Sequence, residues 1–137
     1  MTTTLTSATL REIVFVDSRV QDVNVLLQGM PPGAEVVYLK AGEDGLQQMA
    51  AALGERGDVS AVHVLAHGSA GQLWLGNTFL DSHTLATQGD ALAALGRGLT
   101  ADGDLLIYAC DMASGETGAQ FVSTLAQLTG ADVAASA

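Results

Sequence analysis

The stretch Ala61-Val62-His63-Val64-Leu65-Ala66-His67-Gly68-Ser69-Ala70-Gly71 decides how the chain is read. Its first five residues are mostly apolar and include two β-branched side chains. Such a run fits a strand buried on both faces, as in a parallel sheet. The character then changes within two residues. A histidine is followed by a glycine-rich turn, the usual end of a strand. Open α/β sheets place their sites beyond the C-terminal ends of the strands, so His67 and Gly68 become the first candidates for chemistry.

Working outward, Ile13-Val14-Phe15-Val16, Val36-Val37-Tyr38-Leu39, Leu105-Leu106-Ile107-Tyr108 and Ala131 to Ala135 read as four more strands, the first of them again wholly apolar and fit for burial on both faces. Helices are expected between them. Val23 to Gln28 is a short one, halted by Pro31-Pro32-Gly33. Asp44 caps the next, with Gln47 placed for a capping box and Leu46, Met49, Ala50 and Leu53 on one face. Asp81 or Ser82 caps a third, with Leu85, Leu92 and Leu95 facing inward and Gly89 as its weak point. Ser114 caps the last, which carries Phe121, Val122, Leu125 and Leu128. Leu73-Trp74-Leu75 and Thr78-Phe79-Leu80 flank Gly76-Asn77 as a β-hairpin. Asp102-Gly103 reads as a turn. The alternation predicts an α/β fold of three layers: a mostly parallel sheet, helices on both faces, and a hairpin after strand three. Residues 1–10 read as a disordered lead-in, and residues 11–137 as one domain.

Composition narrows the function. The 137 residues carry 15 Asp and Glu against 5 Lys and Arg, a net charge of −10. Phosphate backbones require clustered basic side chains, and Arg11, Arg19, Lys40, Arg56 and Arg97 are scattered, so nucleic acid is excluded as a partner. No apolar run approaches the ~20 residues that span a bilayer, which argues against membrane insertion. Met1 to Thr9 lacks the basic-then-apolar layout of a secretory signal. The single cysteine rules out an internal disulfide and a cysteine-rich zinc site. On a strand, His63 and His67 lie about 13 Å apart, too far for a metal pair, so no metal and no cofactor is expected.

Cys110 lies just past the fourth strand, as His67 lies just past the third. If these strands are neighbours, about 4.8 Å apart, imidazole and thiol emerge at one sheet edge. That is the arrangement nucleophilic cysteine chemistry requires. The N–H groups of Gly68 and Cys110 are candidates for an oxyanion hole. Position alone leaves a second reading open, in which Cys110 is a small apolar core residue. Asp17, Arg19 and Asp111 are candidates for contacting substrate near the same edge, Asp111 by binding a basic group or else by orienting a histidine, and Arg19 by facing an acidic residue; turn capping is the alternative for Asp17 and Asp111, and solvation for Arg19. His63 reads as a hydrogen-bonded interior residue and His83 as a solvated one.

A strand ending in His67-Gly68 and a later strand ending in Ala109-Cys110 resemble the caspase-like cysteine peptidases. The separation of the two residues is near the ~50 residues given for caspases. More narrowly, the chain resembles the bacterial family called domain of unknown function 4347. The supporting residues are Phe15-Val16-Asp17-Ser18, Pro32-Gly33, Leu65-Ala66-His67-Gly68-Ser69, Leu75-Gly76-Asn77, Leu99 to Asp104 and Thr129 to Ser136. The resemblance implies His67 as general base, Cys110 as nucleophile, and a polypeptide substrate, the parent chain included. It also implies a place at the N-terminal end of a large secreted or surface adhesin-like protein. Two departures stand out: Tyr108 and Met112 replace the caspase Gln and Gly around the cysteine. The family's later strand and pocket segments have no counterpart before Ala137. A fragment and a domain without a full cleft are both open readings. So is a catalytically silent module serving recognition or capping.

Overall fold

The computed structural model of the protein describes residues 11–20, 23–29, 34–54, 57–108 and 115–135. The expected lead-in at 1–10, the Pro31-Pro32-Gly33 stop, Cys110, Asp111 and the Ser114 cap lie outside them. The sheet is built around β3 (Val59–Leu65), in which every residue except Ser60 is buried. It is flanked by β1 (Arg11–Val16) on one side and β7 (Leu99–Tyr108) on the other. β2 (Glu35–Tyr38) and β8 (Asp132–Ala135) complete the order β2-β1-β3-β7-β8, with every neighbouring pair parallel. Sequential strands separated by helices give this parallel pairing, because each crossover returns the chain to the same end of the sheet.

Alternation along the strands divides their side chains between two faces. Ile13, Phe15, Val62, Val64, Leu105 and Ile107 belong to the main core. Against them pack Leu46, Met49 and Leu53 of α2 (Gly45–Leu53), Leu92 and Leu95 of α4 (Gly89–Arg97), and Phe121 and Leu125 of α5 (Gly115–Thr129). On the opposite face Val14, Val16 and Leu65 form a smaller cluster with Leu27 of α1 (Val23–Gln28), Val20 and Ala34. Helices therefore lie on both faces, as the apolar spacing predicts.

Three local readings change. Asp102-Gly103 is not a turn before the fourth strand. β7 starts at Leu99 and carries the pair as an irregularity, since Val59 pairs with Leu99 but Ala61 pairs with Asp104. The glycine-aspartate signal bends the strand instead of ending it. The helix expected across Leu85 to Leu95 is broken: α3 (Ser82–Leu85) passes through a 3-10 turn, Ala86–Gln88, before α4 begins at Gly89. The expected hairpin forms but gains a strand. His67 is not in a loop; it opens β4 (His67–Ser69), which pairs antiparallel with β5 (Gln72–Leu75), and β5 pairs with β6 (Thr78–Leu80).

The caps behave as their residue types suggest. Asp44 Oδ1 accepts from the N–H groups of Leu46 (2.9 Å) and Gln47 (3.1 Å). Asp81 and Thr84 form a reciprocal box, with the Thr84 N–H donating to Asp81 (2.8 Å) and the Asp81 N–H to Thr84 Oγ1 (2.7 Å). The Thr84 N–H is the main reason the Asp81 carboxyl is held below its ordinary value. A lowered carboxyl pKa stabilises the fold above the unfolded-state value, and that contribution fades as pH falls through the folded one. The α3 cap is thus intact at neutral pH and weakens only in acid.

Gly76 is where the small sheet meets the helix layer. Its φ is 61°, and a Cβ there would collide with the Glu43 carbonyl oxygen and lie 2.8 Å from the Gly45 nitrogen. Gly89 has open space around its Cβ direction and helical φ. Gly76→Ala is expected to destabilise the protein by about 2 kcal/mol or more, from strain and overpacking together. Gly89→Ala is expected to stabilise it by about 0.4–1 kcal/mol. Urea unfolding of both variants checks the contrast.

Candidate active site

Everything of chemical interest near His67 begins with Asp17, the residue that follows β1. Its side chain is fully buried. Oδ1 accepts the Gly76 N–H at 2.6 Å. Oδ2 accepts the Arg19 backbone N–H at 3.1 Å and the Arg19 guanidinium Nη1 at 3.2 Å. A buried carboxylate is stable only when its lone pairs are met, and here the chain's own donors meet both oxygens. Asp17 therefore holds the turn and the hairpin rather than facing a substrate, which corrects the substrate-contact reading.

Arg19 is fixed from several sides. Nη1 also donates to the Gly76 carbonyl at 2.6 Å, and the guanidinium carbon lies 5.7 Å from the centre of the Trp74 ring. That distance is within cation–π range. The guanidinium is thus committed to Asp17, Gly76 and the indole, although 41% of the side chain remains exposed.

The Arg19 carbonyl oxygen has a separate partner. It lies 2.7 Å from His67 Nε2. A carbonyl can only accept, so Nε2 carries the proton in this bond. In neutral imidazole only one nitrogen is protonated, which leaves Nδ1 as the basic one. The ring is exposed, and its orientation is set by backbone at the end of β1. Sequence reasoning missed this contact, and a backbone oxygen leaves no residue signature by which to find it.

The β4–β5 ladder determines what Gly68 offers. Ser69 pairs with Gln72 across the two-residue Ala70-Gly71 turn, and Gly68 pairs with Leu73. In antiparallel ladders hydrogen-bonded and non-bonded pairs alternate, and the pair flanking a two-residue turn is bonded. Gly68 therefore occupies a non-bonded position, and its N–H points away from β5. The neighbouring His67–Trp74 pair is a bonded one, which anchors the His67 backbone.

β3 and β7 are adjacent, as the candidate site requires. Leu65 pairs with Tyr108, and the Ala66 N–H donates to the Tyr108 carbonyl at 3.3 Å. His67 and Cys110 each follow these paired residues by two positions. Cys110 and Asp111 themselves lie outside the described residues.

His63 has no part at this edge. It is buried on the α1 side of the sheet, with Nε2 2.7 Å from Glu12 Oε1 and Nδ1 3.1 Å from Tyr108 Oη. It is the hydrogen-bonded interior residue that its position in β3 suggests. Glu12 and Tyr108 were not anticipated as its partners. The signal was present: two polar residues within apolar strands, placed diagonally once β1 and β3 are aligned. His83 is exposed. Among the described residues no group of three or more His, Cys, Asp or Glu side chains is placed to hold a metal ion.

These features define a three-layer α/β domain with a parallel sheet, an appended antiparallel sheet, and a tautomer-fixed histidine at the C-terminal strand edge. The chain belongs to the family described as Domain of unknown function (DUF4347), which it matches over residues 13–137. No curated protein matches it. Among solved structures, the chain is similar to caspase-1 from Spodoptera frugiperda, with 17% identity and a TM-score of 0.42. That match covers 74% of this chain and 47% of the caspase, so the chain spans about half the caspase's length.

Asp17→Ala removes the acceptor of a buried N–H and the counter-charge of a half-exposed guanidinium. It is expected to cost about 1–3 kcal/mol in chemical denaturation. It should also shift the emission of Trp74, the single tryptophan, because Arg19 loses its anchor. Unchanged stability and emission would contradict the role assigned to Asp17.

Proposed function

We propose that the chain is a cysteine peptidase-type domain, with Cys110 as nucleophile and His67 Nδ1 as its base. Its substrate is a polypeptide, the parent chain included. Its setting is the N-terminal end of a large secreted or surface adhesin-like protein of a bacterium. The observation that carries this reading is the bond from His67 Nε2 to the Arg19 carbonyl. It leaves the basic nitrogen on the exposed ring and fixes the ring without neutralising it. The pairing of Leu65 with Tyr108 adds support, because two residues span at most about 7 Å of chain.

Nδ1 takes the thiol proton of Cys110, and the thiolate adds to the carbonyl carbon of the scissile bond. The N–H of Gly68, turned away from β5, and that of Cys110 stabilise the oxyanion. The imidazolium gives its proton to the departing amine as the C–N bond breaks. Water then hydrolyses the thioester, with Nδ1 again as base, and the thiol is restored. Arg19 and Asp17 hold His67 in place and touch no reacting atom.

The single cysteine makes the test direct. Alkylation of Cys110 by iodoacetamide at pH 7, followed by mass spectrometry, is expected to run on the order of ten-fold faster than alkylation of glutathione. His67→Ala should bring it down to the glutathione rate. Cleavage of unfolded casein should disappear in Cys110→Ala. Equal labelling of wild type and His67→Ala would overturn the proposal and favour the catalytically silent module.

A further inference from the structure

The small antiparallel sheet is amphipathic. Leu73, Leu75 and Leu80 of its inner face are in the main core. Its outer face carries His67, Trp74 and Phe79 in one row, since His67 pairs with Trp74 and Trp74 with Phe79. Directly opposed side chains in a ladder share a face about 5 Å apart. Trp74 is 41% exposed, an unusual position for an indole on a protein of this size. It is also held rigidly: the Phe79 ring sits 4.6 Å away at 50°, and the Arg19 guanidinium lies over the indole. A rigid, half-exposed indole beside the candidate base makes a contact surface that loses little entropy on binding.

We infer that Trp74, walled by Phe79 and Arg19, is a specificity-determining surface beside His67, and that it receives a large apolar side chain of the polypeptide. The inference rests on the peptidase reading and names its substrate class. An acidic side chain is the alternative suggested by Arg19, and two observations oppose it. The guanidinium charge is already balanced by the buried Asp17 carboxylate, and Nη1 is spent on Asp17 and Gly76. The chain also carries a net charge of −10, which repels acidic peptides. An apolar side chain meets neither obstacle, and covering the indole removes its exposed area from water.

Trp74 is its own reporter, being the single tryptophan. The probes are two blocked alanine-based hexapeptides, one with a central Phe and one with a central Asp, titrated into the full chain carrying Cys110→Ala. Trp74 emission, excited where Phe does not absorb, is expected to shift to the blue and saturate with the Phe peptide. Affinity for the Asp peptide should be at least ten-fold weaker. By calorimetry, Trp74→Ala should lower affinity for the Phe peptide at least ten-fold, and Trp74→Phe should keep it within about three-fold. Equal or tighter binding of the Asp peptide, or no binding of the Phe peptide at millimolar concentration, would overturn the inference. So would full affinity in a folded Trp74→Ala chain. Because Cys110→Ala does no chemistry, the two readings fail separately. Slow alkylation with intact Phe-peptide binding removes the peptidase and keeps the subsite. Fast alkylation without peptide binding does the reverse.

Discussion

One buried carboxylate organises the end of the sheet. Asp17 has no contact with water, and its two oxygens serve three donors drawn from two separate segments. Taking an ionised carboxyl out of water is costly unless such bonds replace its hydration, so the arrangement is satisfied as a set or not at all. Through Gly76 the carboxylate ties down the tip of the small sheet. Through Arg19 it shapes the turn after β1, and that turn presents the carbonyl that orients His67. The ring nitrogen that remains basic is therefore settled two hydrogen bonds away from the carboxylate that secures it, by way of Arg19.

The same constraint joins the two sheets into one working unit. The inner leucines of the small sheet pack with the helices α2, α4 and α5, which fixes its angle to the parallel sheet. The close approach at Gly76 allows no side chain there, so the tip sits against the residues preceding α2. The result is an outward surface whose position depends on both sheets. His67 belongs to the small sheet by pairing, and its hydrogen bond belongs to the end of β1. A histidine held in this manner is set by packing and backbone, and a partner carboxylate is not needed to choose its tautomer.

Much of this was legible in the chain. Strands of a parallel sheet announce themselves as continuous apolar runs: all five are legible at Ile13, Val36, Ala61, Leu105 and Ala131, four of them starting within about two residues of the observed strand, while β7 starts six residues before Leu105, at Leu99. The hairpin at Gly76-Asn77 and the caps at Asp44 and Asp81 followed from residue type. What escaped detection was non-local or carried by backbone. The extension of β7 back to Leu99 hides behind Asp102-Gly103, a pair that signals a turn locally and is overridden by pairing with Val59. The placing of His67 in a strand depends on β5, several residues later. The Arg19 carbonyl has no side-chain identity. The turn-capping reading of Asp17 matches its bond from the Arg19 N–H, but nothing in its neighbourhood reveals that Gly76, far along the chain, comes to meet its other oxygen.

The dependence of His67 on Asp17 is read out in the protonation pattern of the His67 ring. Long-range proton–nitrogen correlation spectra of uniformly labelled protein distinguish the two nitrogens of each of the three histidines, and a His67→Ala spectrum assigns the signals. With the ring held by the Arg19 carbonyl, neutral His67 is expected to carry its proton on Nε2 in the wild type, and the preference to weaken in Asp17→Ala. A proton on Nδ1, or an even mixture of tautomers insensitive to Asp17, would contradict it.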